Sequence, residues 1–212
     1  MIKAVFFDVA NTLLGKPALF GTIQHVLQED GFDIPVTELA KKHVWLSEVV
    51  DFPDKTSAEF YKDFNSKLLM QFGIIPTEDL LARIFQACTY LPWNPFPDTQ
   101  ILKSISQPVG VISNWDHTLR NKLAENFDTE FKWILGSADT QSRKPSLGFY
   151  KRILDLTGFM PEEILYAGDS LKLDIVPAVS VGLKAVLVDR YNLYPYSKTD
   201  RVTSLDELIN YL

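Results

Sequence analysis

Ala4-Val5-Phe6-Phe7-Asp8-Val9-Ala10-Asn11-Thr12-Leu13-Leu14 is the stretch on which the rest of the chain is organised. Its opening apolar run is too short for a helix and reads as a buried strand, which stops at an aspartate followed by small and polar residues. Asp8 therefore stands at the C-terminal edge of that strand. In an open parallel sheet ligands bind along this edge, so a carboxylate delivered there by the first strand is a site candidate. The plainer alternative is an aspartate that caps a turn.

Beyond residue 94 strands and helices alternate. Val109-Gly110-Val111-Ile112-Ser113 reads as a strand running into Asn114, with a helix over 116–126. Trp133–Leu135 is a short strand, and Ser146 to Leu156 is a helix closed by Gly158. Ile164–Ala167 is a strand ending in Gly168-Asp169-Ser170, followed by a helix from Asp174 to Val181 in which Pro177 fits only the first turn. A strand over Lys184–Val188 and a helix over 204–211 complete the pattern. Such alternation implies right-handed crossovers and an α/β fold with a doubly wound parallel sheet covered on both faces.

Between the first strand and this region the texture is helical. Residues 18–29, 37–50, 57–72 and 77–88 place apolar side chains at spacings of three and four, separated by Gly31–Pro35, Pro53-Asp54 and Gly73–Pro76. Thr37 with Glu38, and Thr77 with Glu78 and Asp79, look like helix starts with acidic first turns. Pro92, Pro95 and Pro97 then mark a return to another domain. The expected division is a core of residues 1–15 and 94–212 with a helical domain of 16–93 inserted after the first strand.

Composition narrows the function classes. At 212 residues and 46% hydrophobic content the chain can bury a real core. A net charge of −6 argues against a nucleic-acid surface and against anionic membranes. The one cysteine, Cys88, excludes an internal disulfide and fits a reducing cytoplasmic setting. No apolar run reaches membrane-spanning length. Oligomeric state is not legible.

The strand ends carry the chemistry. Asp8, Ser113 and Gly168-Asp169 each close an apolar strand, and Lys144-Pro145 precedes a helix in the same half of the chain. On one rim these supply two carboxylates, a hydroxyl and an ammonium, a set that suits a phosphoryl group beside Mg²⁺. Separately each has a plain reading: Ser113-Asn114 as a cap, Lys144 as a surface charge, Asp169-Ser170 as a turn.

Taken in order, Asp8 to Thr12, Val111-Ile112-Ser113-Asn114, Lys144-Pro145, and Gly168-Asp169-Ser170 with Asp174 resemble the four motifs of the haloacid dehalogenase-like superfamily. Its members have a Rossmann-like core, here with a helical cap inserted after the first strand. The resemblance implies a Mg²⁺-dependent hydrolase of small phosphorylated molecules, with the substrate held where core and cap meet. It makes Asp8, Ser113, Lys144 and Asp169 catalytic, Asp8 being the nucleophile. Thr12, Ser113, Asn114 and Lys144 become phosphate-binding groups. The metal ligands it implies are Asp8, the Ala10 backbone carbonyl, Asp169 and Asp174, the last as a ligand or as a carboxylate behind the ligands.

Ala10 departs from the pattern. In the family's phosphatases this residue is a second aspartate that protonates the leaving oxygen and then activates water, and a methyl group can do neither. Acid–base help of that kind is typically worth ~10²–10⁴ per proton transfer. Four readings remain open: a phosphohydrolase with an unusual acid–base group, for which His117 is the best-placed stand-in; a phosphonatase-like enzyme using a cap lysine among Lys41, Lys42, Lys55, Lys62 and Lys67; a 2-haloacid dehalogenase; or a phosphometabolite-binding relative without turnover. His25, His43, Trp45 and Tyr61 of the cap, and Trp115 of the rim, are further candidates to face the substrate, with packing the commoner role for such residues.

Overall fold

A six-stranded sheet organises the first of two compact units, residues 1–15 with 94–212, in a computed structural model that describes residues 1–53, 56–140 and 142–212. Along the chain the strands are β1 (Ala4–Phe7), β2 (Leu14–Gly15), β3 (Asn94–Pro95), β4 (Val109–Ser113), β5 (Phe131–Gly136), β6 (Ile164–Gly168), β7 (Lys184–Val188) and β8 (Arg201–Val202). The sheet runs β5-β4-β1-β6-β7-β8 with every neighbouring pair parallel. β1 lies between β4 and β6 and its four side chains are fully enclosed, which is why it reads as an unbroken apolar run. β2 and β3 form a separate antiparallel ribbon.

The second unit, residues 16–93, holds α1 (Leu19–Glu29), α2 (Val36–Val49), α3 (Ala58–Met70) and α4 (Glu78–Cys88). Leu27, Leu39, Phe64, Leu68, Leu69 and Ile84 meet in its core, at the helical spacing visible in the sequence. Thr77 caps α4 by accepting from the Leu80 N–H at 3.2 Å. Thr37, expected at a helix start, lies inside α2, which begins one residue earlier because Pro35 supplies the entry. Arg83 of α4 grips Asp30 at the end of α1, 2.6 Å away. Asp54, part of the expected break before α3, lies outside the described residues.

The core unit adds α5 (Leu119–Asn126), α6 (Leu147–Thr157) and α7 (Val176–Ser180). α6 ends at Gly158 with φ 67°, as its glycine suggested. The helix expected from 116 begins only at Leu119, since Asp116 Oδ1 accepts from the Thr118 N–H at 2.9 Å and turns the backbone first. The helix expected over 174–181 is split into a π-helical turn, Leu171–Ile175, and α7, which places Pro177 in the first turn of α7. The C-terminal helix is a 3₁₀ segment, Leu205–Tyr211, started by a Ser204–Glu207 capping box. No described helix is long and apolar enough to cross a membrane.

Packing on the sheet is closest where Phe6 of β1 passes Gly110 of β4. A Cβ at Gly110 would stand 2.6 Å from Phe6 Cε1, and the Phe6 ring is stacked on Trp133 with centroids 5.4 Å apart. The ring has no open side to move into. Gly110→Ala is expected to lose roughly 1–3 kcal/mol of stability through overpacking, read as a lower urea midpoint at unchanged slope.

Candidate active site

The site grows from the turn that follows β1. The Asp8 N–H donates to the Ala167 carbonyl of β6 at 2.9 Å, anchoring the residue at the strand's end. The chain then doubles back: Leu13 and Leu14 N–H both donate to the Val9 carbonyl, and the Asn11 N–H donates to the Leu14 carbonyl at 2.6 Å. Asn11 adopts φ 60°, a left-handed conformation that asparagine tolerates better than most residues. The carbonyls of Val9, Asn11, Thr12 and Leu13 all accept hydrogen bonds, whereas among the described residues that of Ala10 accepts none.

Four side chains converge beside that turn. Lys144 Nζ lies 2.5 Å from Asp8 Oδ1 and 2.6 Å from Asp174 Oδ1, and Lys144 is 3% exposed. Ser113, at the end of β4, donates to Asp8 Oδ1 at 3.3 Å. Carboxylate oxygens of Asp8, Asp169 and Asp174 lie within 4.8 Å of one another. Asp174 Oδ1 also accepts from Tyr166 at 2.7 Å, and Oδ2 from the Ser170 N–H at 3.1 Å. This close approach needs Gly168, since a Cβ there would stand 2.4 Å from Asp174 Cγ.

Electrostatics follow from the enclosure. Burial raises the Asp8 carboxyl; the Lys144 ammonium opposes this and Asp174 adds to it, with a result of about 6. Asp8 is then still mostly ionised at neutral pH. Burial alone would lower Lys144, but Asp174 and Asp8 outweigh it and hold the ammonium charged. Asp169 is raised well above the usual carboxylate range by burial and then by repulsion from Asp8 and Asp174. Three carboxyl groups gathered around one ammonium repel one another, a repulsion that a divalent cation would relieve.

Other expected site residues make further contacts around this cluster. The Asn114 amide is engaged with the main chain of Lys144, accepting from its N–H at 2.8 Å and donating to its carbonyl at 3.1 Å. This side chain braces the main chain of Lys144. Thr12 is fully buried and its hydroxyl donates to Asp169 Oδ1 at 3.4 Å. His117 pairs with Asp139, Nδ1 to Oδ1 2.9 Å, on the exposed rim. Trp115 Nε1 donates to Thr118 Oγ1 at 3.2 Å.

The helical unit's candidates have packing or surface roles. His43 meets Phe20 and Phe64 edge-on, and burial pushes its imidazole down to about 4, which keeps it neutral. Tyr61 contacts Phe60 and Phe85, and Trp45 is half exposed. His25 faces Glu29 at 3.6 Å on the surface. Lys41 lies 4.0 Å from Glu38, Lys62 pairs with Glu78, Lys67 with Asp63, and Lys42 donates to the Gln71 carbonyl over the Phe72 ring. Lys55 lies outside the described residues.

Sequence reasoning missed Tyr166 and Tyr150, and placed Ser170 in a motif without giving it a role. The tyrosines sit within apolar runs and read as core, yet Tyr150 donates to the Leu173 carbonyl at 2.6 Å and Tyr166 to Asp174. A buried tyrosine hydroxyl needs a partner, and that requirement was the available signal. Ser170 caps the π-helical turn by accepting from the Leu173 N–H at 2.9 Å.

Removing Lys144 would leave Asp8 and Asp174 facing each other without compensation. Lys144→Met is expected to lose about 3–5 kcal/mol of unfolding free energy, the range for breaking a buried ion pair from one side. Urea unfolding in chelator at neutral pH reads this loss.

A family model described as haloacid dehalogenase-like hydrolase matches residues 2–182. The chain is similar to a glyceraldehyde 3-phosphate phosphatase of Methanothermobacter thermautotrophicus, 25% identical over 205 residues, 89% of this chain and 86% of that one. It is similar to a phosphoglycolate phosphatase of Photorhabdus laumondii at 23% identity over 192 residues, 87% and 79% of the two chains. Among solved structures, the HAD-hydrolase YfnB from Bacillus subtilis bound to magnesium aligns with a TM-score of 0.65 at 19% identity, covering 100% of this chain and 98% of that one. The L-2-haloacid dehalogenase from Xanthobacter autotrophicus gives 0.62 at 20% identity, covering 99% of each. The structural likenesses show the shared fold, and the match over residues 2–182 shows the family: this chain belongs to the haloacid dehalogenase-like hydrolases.

Proposed function

We propose that the chain is a Mg²⁺-dependent phosphohydrolase of a small phosphorylated metabolite, working through an aspartyl phosphate on Asp8. The observation that carries this reading is the buried Asp8 carboxylate between Ser113 and Lys144, with Asp169 beside it. The two relatives named for small phosphate esters support the substrate class.

Hard oxygen donors suit Mg²⁺, and Asp8, the Ala10 carbonyl and Asp169 are the groups that would hold it. Both oxygens of Asp174 already accept hydrogen bonds, so we assign it to anchoring Lys144. Bound there, Mg²⁺ would supply charge neutralisation at the phosphoryl oxygens.

Asp8 attacks phosphorus as a carboxylate and needs no activating base. A carboxylate-oxygen–phosphorus bond forms while the bond to the leaving oxygen breaks and that oxygen takes the electron pair. The Ser113 hydroxyl and the Lys144 ammonium bind the phosphoryl oxygens, and Asp174 and Asn114 hold Lys144 in place. Ala10 offers no proton to the leaving oxygen and no base to the water that must later attack phosphorus. Turnover is therefore slow, and least impaired when the leaving group is already good.

A phosphate-release screen with Mg²⁺ over sugar phosphates, nucleotides, acyl phosphates and phosphonates tests the reading. Slow release is expected, fastest from acyl or aryl phosphates, and Ala10→Asp should accelerate it by roughly 10²–10⁴, the usual gain from general acid–base catalysis. Release that depends on His117 in the parent would assign that residue the missing role. No release from any substrate by either protein would contradict the proposal, and halide release from 2-haloacids in chelator would replace it with dehalogenation. Mg²⁺ should also raise the melting temperature, and Asp169→Asn should diminish that rise.

A further inference from the structure

The turn carrying Asp8 is held from outside by a residue that none of the four motifs contains. Arg190 follows β7, two strands from β1, and its side chain is 15% exposed. Its Nη2 donates to the Thr12 carbonyl at 2.8 Å and its Nε reaches the Asn11 carbonyl at 3.4 Å. The guanidinium forks onto Asp98, Nη1 to Oδ2 2.5 Å and Nη2 to Oδ1 3.1 Å, and lies 4.0 Å above the Phe96 ring. Phe96 in turn fills the space against Gly15, where a Cβ would stand 2.4 Å from Phe96 Cζ.

Both ends of this clamp are themselves fixed. Asp98 Oδ2 also accepts from Ser204 Oγ at 3.1 Å and from the Leu205 N–H at 2.8 Å. Burial alone would raise its carboxyl, but these bonds and the guanidinium outweigh it and keep Asp98 lowered and ionised. The turn bearing Arg190 is braced by buried Asp189, which accepts from the Leu193 and Tyr194 N–H groups and from Arg201 at 2.7 Å. A planar guanidinium with two fork contacts and a ring beneath it has little freedom to move.

We propose that Arg190 is a positioning residue for Asp8 and for the Ala10 carbonyl. By drawing the Asn11 and Thr12 carbonyls to itself, with the Val9 carbonyl already engaged by Leu13 and Leu14, it leaves the Ala10 carbonyl as the one in that run without a partner among the described residues. Thr12 relays the constraint further: its carbonyl is held by Arg190 while its hydroxyl reaches Asp169. The catalytic part of this inference rests on the phosphohydrolase reading; the mechanical part does not.

Three readouts separate the two on Arg190→Ala, with Arg190→Lys as the milder variant. Hydrogen exchange measured by mass spectrometry is expected to be roughly ten-fold faster for the peptide spanning residues 8–14 and unchanged for the peptide spanning β4. With an aryl phosphate, kcat is expected to fall roughly 10²-fold, the loss that follows a misplacement of about 1 Å, with KM nearly constant and Mg²⁺ binding weakened by calorimetry. Arg190→Lys should recover only part, because an ammonium cannot fork onto Asp98 while holding two carbonyls. Unchanged exchange over residues 8–14 overturns the inference whether or not the parent turns over. Faster exchange with kcat and Mg²⁺ binding at parental values, well below the melting temperature, overturns the positioning role and leaves a structural brace. Faster exchange in a parent without turnover would refute the phosphohydrolase reading alone, provided Mg²⁺ binding still weakens.

Discussion

The ammonium of Lys144, shared between Asp8 and Asp174 in a region almost closed to water, is the interaction on which the site depends. Bringing three carboxylates this close is unfavourable without a cation among them. Lys144 supplies one positive charge, Tyr166 and the Ser170 N–H satisfy the remaining faces of Asp174, and Asn114 fixes the main chain from which Lys144 reaches in. Asp8 and Asp169, whose proximity raises the Asp169 carboxyl, lie in this cluster, and the nearby Ala10 carbonyl accepts no hydrogen bond among the described residues. On the proposed reading, a divalent cation would relieve the repulsion among these carboxylates.

The parallel sheet makes that arrangement possible. Asp8, Ser113 and Asp169 end or follow β1, β4 and β6, three adjacent strands whose C-terminal ends share one rim, and no long loop is needed to bring them together. Only Lys144 and Asp174 arrive from elsewhere, the first from before α6 and the second on a π-helical turn. Such turns displace one residue from the ordinary helical path and recur at functional sites. Here the turn sets Asp174 over Gly168, the one residue type that leaves room for its carboxylate.

Much of this was legible in the sequence because it is carried by pattern. The enclosed strand before Asp8, the apolar runs ending at Ser113 and Asp169, and the alternation of strand and helix all leave periodic traces. The two-residue strands β2, β3 and β8 leave none, since pairing that short is decided by distant partners. The side-chain partners of Thr12 and Asn114 were not legible for a related reason. A motif gives residue type and order, whereas the direction of a hydroxyl or an amide is set by the groups packed around it, here Asp169 and the Lys144 main chain. Arg190 was invisible for the same cause: its contacts with Asn11 and Thr12 span most of the chain and follow no spacing.

Ala10 turns the chemistry into a question of two half-reactions. In the proposed mechanism, attack would need Asp8, Ser113, Lys144 and a bound Mg²⁺, while breakdown of the acyl phosphate would lack the base that a second aspartate provides. The covalent species should accumulate. The most direct measurement is the intact mass of the chain after brief incubation with acetyl phosphate and Mg²⁺, quenched in acid, beside Asp8→Asn treated identically. The mass of one added phosphoryl group is expected on the parent and none on Asp8→Asn; an unmodified parent, or an adduct that survives the loss of Asp8, would contradict covalent catalysis at Asp8.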